Sequence, residues 1–124
     1  MFEGATVYPC LAVKDLAKAK KFYGGKLGLK EMPGEDSGGQ FYKIGDTKIF
    51  VYQSSFAGSN KATAMNCEVK DIEKTIAEIK KAGAKFEHYD MPEVKREGDV
   101  HIFGDLKAAW FKDPDGNIIS LLEK

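Results

Sequence analysis

Val13-Lys14-Asp15-Leu16 returns 56 residues later as Val69-Lys70-Asp71-Ile72. In both places a lysine-rich stretch with helical periodicity follows. Each stretch ends at a glycine between two apolar residues, first Leu27-Gly28-Leu29 and then Ala82-Gly83-Ala84. The aspartate of each copy is a good helix N-cap, and each glycine is a typical helix stop. The repeat predicts a fold of two similar halves, with a place for a small molecule between them.

Strand-like runs surround both helices. In the first half they cover residues 6–13, 29–33, 40–44 and 47–53. In the second half they cover residues 63–69, 84–89, 106–112 and 117–123. The turns Gly45-Asp46 and Asp113–Asn117 separate the last two runs of each half. Each half therefore has the order βαβββ.

The predicted class is α+β, built from two tandem βαβββ modules with a cleft between them. We expect a single domain over residues 1–124. Module one covers 1–57, module two covers 62–124, and a polar linker lies between them. The second module is longer because of Met91–Gly104, which we expect to be a loop that folds over the cleft.

Composition excludes several classes of partner. Lys+Arg and Asp+Glu are equal at 19 each, which argues against nucleic acid or an anionic membrane surface as the main partner.

The N-terminus lacks the pattern of a signal peptide, and no apolar run is long enough to span a membrane. Cys10 and Cys67 lie in strand-like runs and are interpreted as reduced packing residues. We therefore expect a cytoplasmic protein.

The motifs together resemble one family. Phe22-Tyr23 and Leu27-Gly28-Leu29 follow the first V-K-D-L element, the element is duplicated, and the chain ends in Trp110–Ile119 with its D-P-D-G-N turn. This pattern closely resembles the vicinal oxygen chelate superfamily, which includes glyoxalase I, extradiol dioxygenases, fosfomycin-resistance enzymes and bleomycin-resistance proteins. The resemblance covers essentially the whole chain. It implies two βαβββ modules that form a curved mixed sheet around one central cleft, usually in a dimer, so we expect a homodimer.

The resemblance also implies where a divalent metal would be held. Metal-dependent members carry His or Gln on the first strand of each module, five residues before the Val of the V-x-D element, and Glu on the last strand. The matching positions here are Tyr8, Phe50, Ala64 and Ser120. Phe and Ala have no donor atom, serine is a poor ligand, and tyrosine must first lose a proton with a pKa of about 10. We therefore predict no metal and no other cofactor.

Strand alternation predicts an aromatic and apolar cleft with a few hydrogen-bonding groups, which suits a flat organic ligand. The predicted ligand-binding residues are Tyr8, Cys10, Phe50, Tyr52, Ala64, Asn66, His101, Phe103, Trp110 and Ser120. Two interpretations of this set are open, an open pocket or a cleft filled by its own side chains. Trp110 is interpreted as a cleft wall, a dimer contact or part of the sheet core.

Three functions follow from this pattern. The leading hypothesis is a metal-independent protein, similar to the bleomycin-resistance branch, that sequesters a small aromatic or amphipathic compound. The alternative is a lyase or isomerase that uses His101 or Tyr8 as acid or base without a metal. His101 is the weak catalytic candidate because its neighbours in the expected loop are apolar. The third is a domain that mainly dimerises and has lost its small-molecule function.

Overall fold

The computed structural model describes residues 1–34 and 38–124. Its strands are β1 (Cys10–Val13), β2 (Lys30–Met32), β3 (Gly39–Ile44), β4 (Thr47–Gln53), β5 (Thr63–Glu68), β6 (Phe86–Glu87), β7 (Lys95–Glu97), β8 (Val100–Phe103), β9 (Leu106–Lys112) and β10 (Ile118–Glu123). Its helices are α1 (Leu16–Ala19), which continues as a π-helix over Lys20–Lys26, and α2 (Ile72–Lys81). Within these ranges no helix is long and apolar enough to cross a membrane.

The strands form two mixed sheets. Sheet A has the order β1-β4-β3-β2, and sheet B has the order β5-β10-β9-β8-β7, with β6 paired to β9. In each sheet the first strand of the module runs parallel to the last one, β1 with β4 and β5 with β10, while the remaining pairs are antiparallel. The predicted α+β class is therefore confirmed. The first module has the predicted βαβββ order, and in the second module the paired strands β7 and β8 are inserted into that order.

The first strand is shorter than the predicted run of residues 6–13. It begins at Cys10 because Pro9 has no N–H to donate to a neighbouring strand. The Pro9 carbonyl still accepts a 3.0 Å hydrogen bond from the Phe50 N–H. Residues just before β1 therefore remain aligned with sheet A, and Tyr8 keeps a place beside it.

Both predicted helix starts are confirmed, and the first helix has an irregular end. The Asp15 side chain accepts hydrogen bonds from two backbone N–H groups of the first turn, and Asp71 accepts one from the Lys74 N–H. In the glycine-containing last turn of the first helix, the Leu27 N–H bonds the Phe22 carbonyl five residues back. Gly28 then ends this helix at a φ of 68°, a conformation that favours glycine.

The region Met91–Gly104 is not the flap that we predicted. Its second half forms the hairpin β7–β8, in which Lys95 to Glu97 pair with Ile102 to Val100, and β8 continues sheet B beside β9. Gly98 occupies the turn at a φ of 63°. Of the apolar residues that suggested a flap, Val100 and Ile102 alternate along this strand and pack into the core instead.

Candidate functional site

The candidate site begins on the side of sheet A that faces away from the helices, which we call the open face. Alternate residues of β1, β3 and β4 point to the helices and are buried there: Leu11, Val13, Tyr42, Ile49 and Val51. Their neighbours point to the open face. Cys10 lies opposite Phe50, Phe50 lies opposite Phe41, and Tyr52 is two residues further along β4. Cys10 is exposed, so its interpretation as a packing residue is wrong.

Four aromatic rings cover this open face in an unbroken series of contacts. The Tyr8 and Phe41 rings meet edge to face with centroids 5.2 Å apart. The Phe41 and Phe50 centroids are 4.7 Å apart, and the Phe50 and Tyr52 rings are parallel within 4° at 6.0 Å. All four side chains are partly exposed. A flat organic molecule would find a continuous stacking surface here.

Glycines leave room for these rings. A Cβ added at Gly39 would lie 2.3 Å from Cζ of Phe50, closer than any stable contact, and one at Gly34 would lie 3.0 Å from Cδ2 of Phe41. Any larger residue at Gly39 would displace the Phe50 ring. The aromatic surface therefore depends on the glycine of β3 as well as on the rings themselves.

The corresponding side of sheet B carries the polar members of the predicted set. Ser120 of β10 lies opposite both Asn66 of β5 and Trp110 of β9. The Ser120 hydroxyl donates a hydrogen bond to Oδ1 of Asn66. Ser120 is buried and Asn66 is exposed, while Ala64, two residues before Asn66 in β5, is partly exposed. Sheet B thus offers an exposed amide whose oxygen is already engaged by a hydroxyl.

His101 lies in β8 rather than in a loop, and none of its surface is exposed. Its Nε2 accepts a 2.9 Å hydrogen bond from the Tyr89 N–H, which leaves the ring proton on Nδ1. The Trp110 ring packs against it edge to face at 4.9 Å, and the Phe103 ring lies 6.3 Å from the Trp110 ring. His101 is a packed strand residue, so a substrate has no direct access to its ring.

An apolar cavity of about 350 Å³ lies elsewhere, between the modules on the helix side. Its lining includes Leu27 and Leu29 after the first helix, Ile79 of α2, Met65 of β5 and Phe111 of β9. None of the ten predicted ligand-binding residues lines it. The predicted residues are thus gathered on the strand faces that turn away from this cavity.

The sequence profile of the Glyoxalase/Bleomycin resistance protein/Dioxygenase superfamily matches residues 6–121. The chain belongs to this superfamily. No curated protein matches the sequence. The matched region contains the D-P-D-G-N turn, whose Asp113 carboxylate accepts hydrogen bonds from the Asp115 and Asn117 N–H groups at 2.9 and 2.8 Å. The superfamily motif is therefore a turn that this chain stabilises internally.

Solved structures share this superfamily fold. The glyoxalase family protein from Enterococcus faecalis aligns over 99% of this chain and 100% of its own, with a TM-score of 0.73 and 21% identity. The fosfomycin resistance protein FosX from Mesorhizobium loti aligns over 100% and 94%, with a TM-score of 0.69 and 16% identity. Lactoylglutathione lyase from Agrobacterium tumefaciens aligns over 97% and 93%, with a TM-score of 0.68 and 16% identity. At such identities the likeness shows the fold alone.

The residues of this superfamily member do not fit the metal that the resemblance implies. Phe50 and Ala64 have no donor atom, and the Ser120 hydroxyl is already bonded to an amide oxygen. In the described part of the chain, the one group of three acidic, His or Cys side chains close enough to hold an ion is Asp71, Glu73 and Glu123. It lies at the start of α2, where Lys107 contacts Glu73 at 3.1 Å. The four superfamily metal positions of this chain therefore do not form a ligand set for a divalent ion.

Sequence reasoning missed two aromatic residues beside the predicted ones. Phe41 joins Tyr8 to Phe50 on sheet A, and the Tyr89 ring lies 5.2 Å from Trp110 on sheet B. Phe41 could have been predicted from the sequence, because neighbouring residues of a strand point to opposite faces and Phe41 and Tyr42 are neighbours in the run 40–44. Tyr89 was not, because it follows the two-residue strand β6 and its position depends on the β9 pairing.

Proposed function

We propose that this protein binds a small aromatic or amphipathic organic compound without a divalent metal. The observation that carries the proposal is the identity of the four residues at the superfamily's metal positions, Tyr8, Phe50, Ala64 and Ser120. They replace nitrogen and carboxylate donors with rings, a methyl group and a hydroxyl. This replacement removes the means to polarise a substrate and leaves stacking area.

The aromatic open face of sheet A supports this proposal. The rings of Tyr8, Phe41, Phe50 and Tyr52 remain partly exposed instead of closing over one another. A planar ligand stacked on these rings would bury apolar area of both the ligand and the protein. Each favourable ring pair would contribute about 0.5–1.5 kcal/mol of binding free energy beyond this burial. A cytoplasmic location agrees with the two free cysteines.

We also propose that the functional unit is a homodimer. The hydrogen bonds and ring contacts that join the modules all involve the first helix or the D-P-D-G-N turn, among the residues described. No such contact joins the aromatic face of sheet A to the polar face of sheet B within 1–34 and 38–124. In one protomer, the aromatic face of sheet A and the polar face of sheet B therefore each supply only one wall of a ligand site. A second copy would cover it and enclose the ligand.

The alternative of catalysis by His101 has no support in the geometry, because its ring is buried and one nitrogen is held by a backbone N–H. Turnover of a candidate substrate that is lost in His101→Ala, with the fold intact, would revive it. Dimerisation alone would predict no thermal shift with any ligand.

Metal titration tests the first half of the proposal. Isothermal titration of nickel, zinc and manganese into protein treated with chelator should give no stoichiometric tight binding. The variant Glu73→Gln removes one carboxylate of the group Asp71, Glu73 and Glu123. It therefore distinguishes weak metal binding at this acidic group from binding at the sheet residues. Tight binding that persists in this variant would show that the sheet residues do hold a metal, and would overturn the proposal.

Ligand screening tests the second half. Thermal shift with a panel of flat aromatic compounds, in chelator throughout, should find compounds that raise Tm in the wild type. The variant Phe50→Ala should abolish the shift, because Phe50 contacts both neighbouring rings. Phe56→Ala is the matched control, since Phe56 is 77% exposed and belongs to no strand of either sheet. Equal loss in both variants would contradict an aromatic site on sheet A.

A further inference from the structure

A row of three lysines crosses the open face of sheet A. Lys30 of β2 lies directly opposite Lys43 of β3, and Lys43 lies directly opposite Lys48 of β4. Residues directly opposite in an antiparallel pair project from the same side of a sheet. Since Lys48 is two residues from Phe50 in β4, the whole row shares the face of the aromatic rings.

This lysine row is unfavourable for the protein alone. Like charges directly opposite one another destabilise an antiparallel pair, and here two such pairs occur side by side. Five of the lysines have a carboxylate within 4.0 Å among the residues described, namely Lys20, Lys80, Lys107, Lys112 and Lys124. For Lys30, Lys43 and Lys48 no such partner exists among residues 1–34 and 38–124. Positive charge is thus concentrated beside the rings at a cost in stability.

Lys48 connects this charge to the aromatic surface. Its Nζ lies 4.9 Å from the centroid of the Tyr8 ring and 4.6 Å from that of Phe41. Both distances are within the range of cation–π attraction. The ammonium group is therefore held over the rings instead of extending freely into solvent, and a ligand lying on Phe41 and Phe50 would meet it.

We propose that the ligand is an aromatic anion, with its ring on Phe50 and Tyr52 and its carboxylate, sulfonate or phosphonate group at the lysine row. This inference rests on the proposed function and names its ligand class. Successive residues on one strand face are about 6.6–6.8 Å apart, so the charged group would sit roughly one ring length from the stacked ring. A cationic aromatic compound would be repelled by the same row.

Two fluorescent probes of the same shape test the charge. 8-Anilinonaphthalene-1-sulfonate carries a sulfonate, and N-phenyl-1-naphthylamine is its neutral counterpart. The wild type should bind the sulfonate more tightly, and added salt should weaken that binding alone. Lys48→Met, which keeps the apolar stem, should weaken the sulfonate about tenfold and leave the neutral probe unchanged, as expected for loss of one charge-assisted contact.

Lys74→Met is the matched control, because Lys74 is exposed on α2 and its loss changes the net charge equally. It should leave both probes unaffected. Lys43→Met, at an exposed position of the row, should weaken the sulfonate less than Lys48→Met does. This second variant keeps the test decisive if Lys48→Met folds poorly.

The possible failures are distinguishable. If neither probe binds the wild type, the aromatic site itself is wrong, and the proposed function fails with it. If both probes bind equally, or Lys48→Met weakens both equally, the site survives and the preference for an anion is wrong. Binding of a fluorescein-labelled oligouridylate more tightly than the sulfonate would replace the small anion by single-stranded nucleic acid and overturn the inference.

Discussion

The Tyr23 hydroxyl donates a 2.6 Å hydrogen bond to Oδ2 of Asp113, and both residues are buried. This contact joins the Phe-Tyr pair of the first helix to the D-P-D-G-N turn of the second module, 90 residues away. The same carboxylate holds Asn117, whose side chain also donates to the Ala12 carbonyl of β1 at 2.8 Å. The Phe22-Tyr23 pair and the D-P-D-G-N turn, which are far apart in sequence, therefore form one contact between the two modules.

Tyr23→Phe should lower the free energy of unfolding by about 1.5–3 kcal/mol, the range for a hydrogen bond to a charged group. Asp113 would keep its other hydrogen bonds, so the fold should survive. Urea unfolding of both proteins measures the difference. Tyr52→Phe is the control, because its hydroxyl has no hydrogen-bond partner among the residues described. An equal loss in the two variants would show that the Tyr23 contact contributes nothing.

Alkaline pH should destabilise the wild type through Tyr23. Burial first, and then the Asp113 charge, raise the pKa of Tyr23 well above its usual value. Below pH of about 10 the tyrosine is neutral in both states, and its stabilising contribution is complete. Above that pH the unfolded tyrosine loses its proton while the folded one does not, so stability falls by up to about 1.4 kcal/mol per pH unit.

The variant Tyr23→Phe lacks this ionisation but keeps every lysine. The difference in stability between wild type and variant therefore separates the effect of Tyr23 from that of the lysines, which also titrate at alkaline pH. Urea unfolding from about pH 9 to about pH 11 should give a steeper fall for the wild type than for the variant. Parallel curves would mean that Tyr23 ionises as easily in the folded protein as in the unfolded chain.

The β7–β8 hairpin should depend on Asp99. Its carboxylate bonds Lys80 of α2 at 2.9 Å and His88 at 2.7 Å. Burial acts to raise the pKa of Asp99, but the hydrogen bonds from Lys80 and His88 outweigh it and lower the pKa. Asp99→Asn should therefore cost about 1 kcal/mol at neutral pH.

The difference between wild type and Asp99→Asn should shrink in acid. A carboxyl group with a lowered pKa stabilises the fold above its unfolded value of about 3.9, and this contribution is lost as pH falls through the folded pKa. Hydrogen exchange of residues 95–103 should rise in the variant at neutral pH. Asp105→Asn, at an exposed turn, should leave that exchange unaltered.

Gly39→Ala should disturb the aromatic surface. The added Cβ would approach Cζ of Phe50 to 2.3 Å, so the ring must move, at a cost of about 1–3 kcal/mol. Binding of flat aromatic probes should fall with it. Gly25→Ala, where a Cβ meets nothing within 4 Å, should keep binding and be neutral or slightly stabilising. Retained binding in Gly39→Ala would show that the Phe50 ring position is unimportant.

Local features of the chain were predictable because they depend on neighbouring residues. Asp15 and Asp71 cap helices through N–H groups two or three residues away, and the turn Gly45-Asp46 closes a hairpin between adjacent strands. Alternation along β4 correctly brought Phe50 and Tyr52 to one face. The expected flap was wrong because the pairing of β8 with β9 is a tertiary contact that overrides the loop-like composition of Met91–Gly104.

The sequence by itself determined the two modules and the residue types at the superfamily's four metal positions, because caps, turns and residue identities are local properties of the chain. Only the tertiary structure decided which side chains meet. Strand register aligned Lys30, Lys43 and Lys48 in one row, and close packing enclosed His101. Register and packing arise from contacts between distant segments, and no short stretch of sequence contains them.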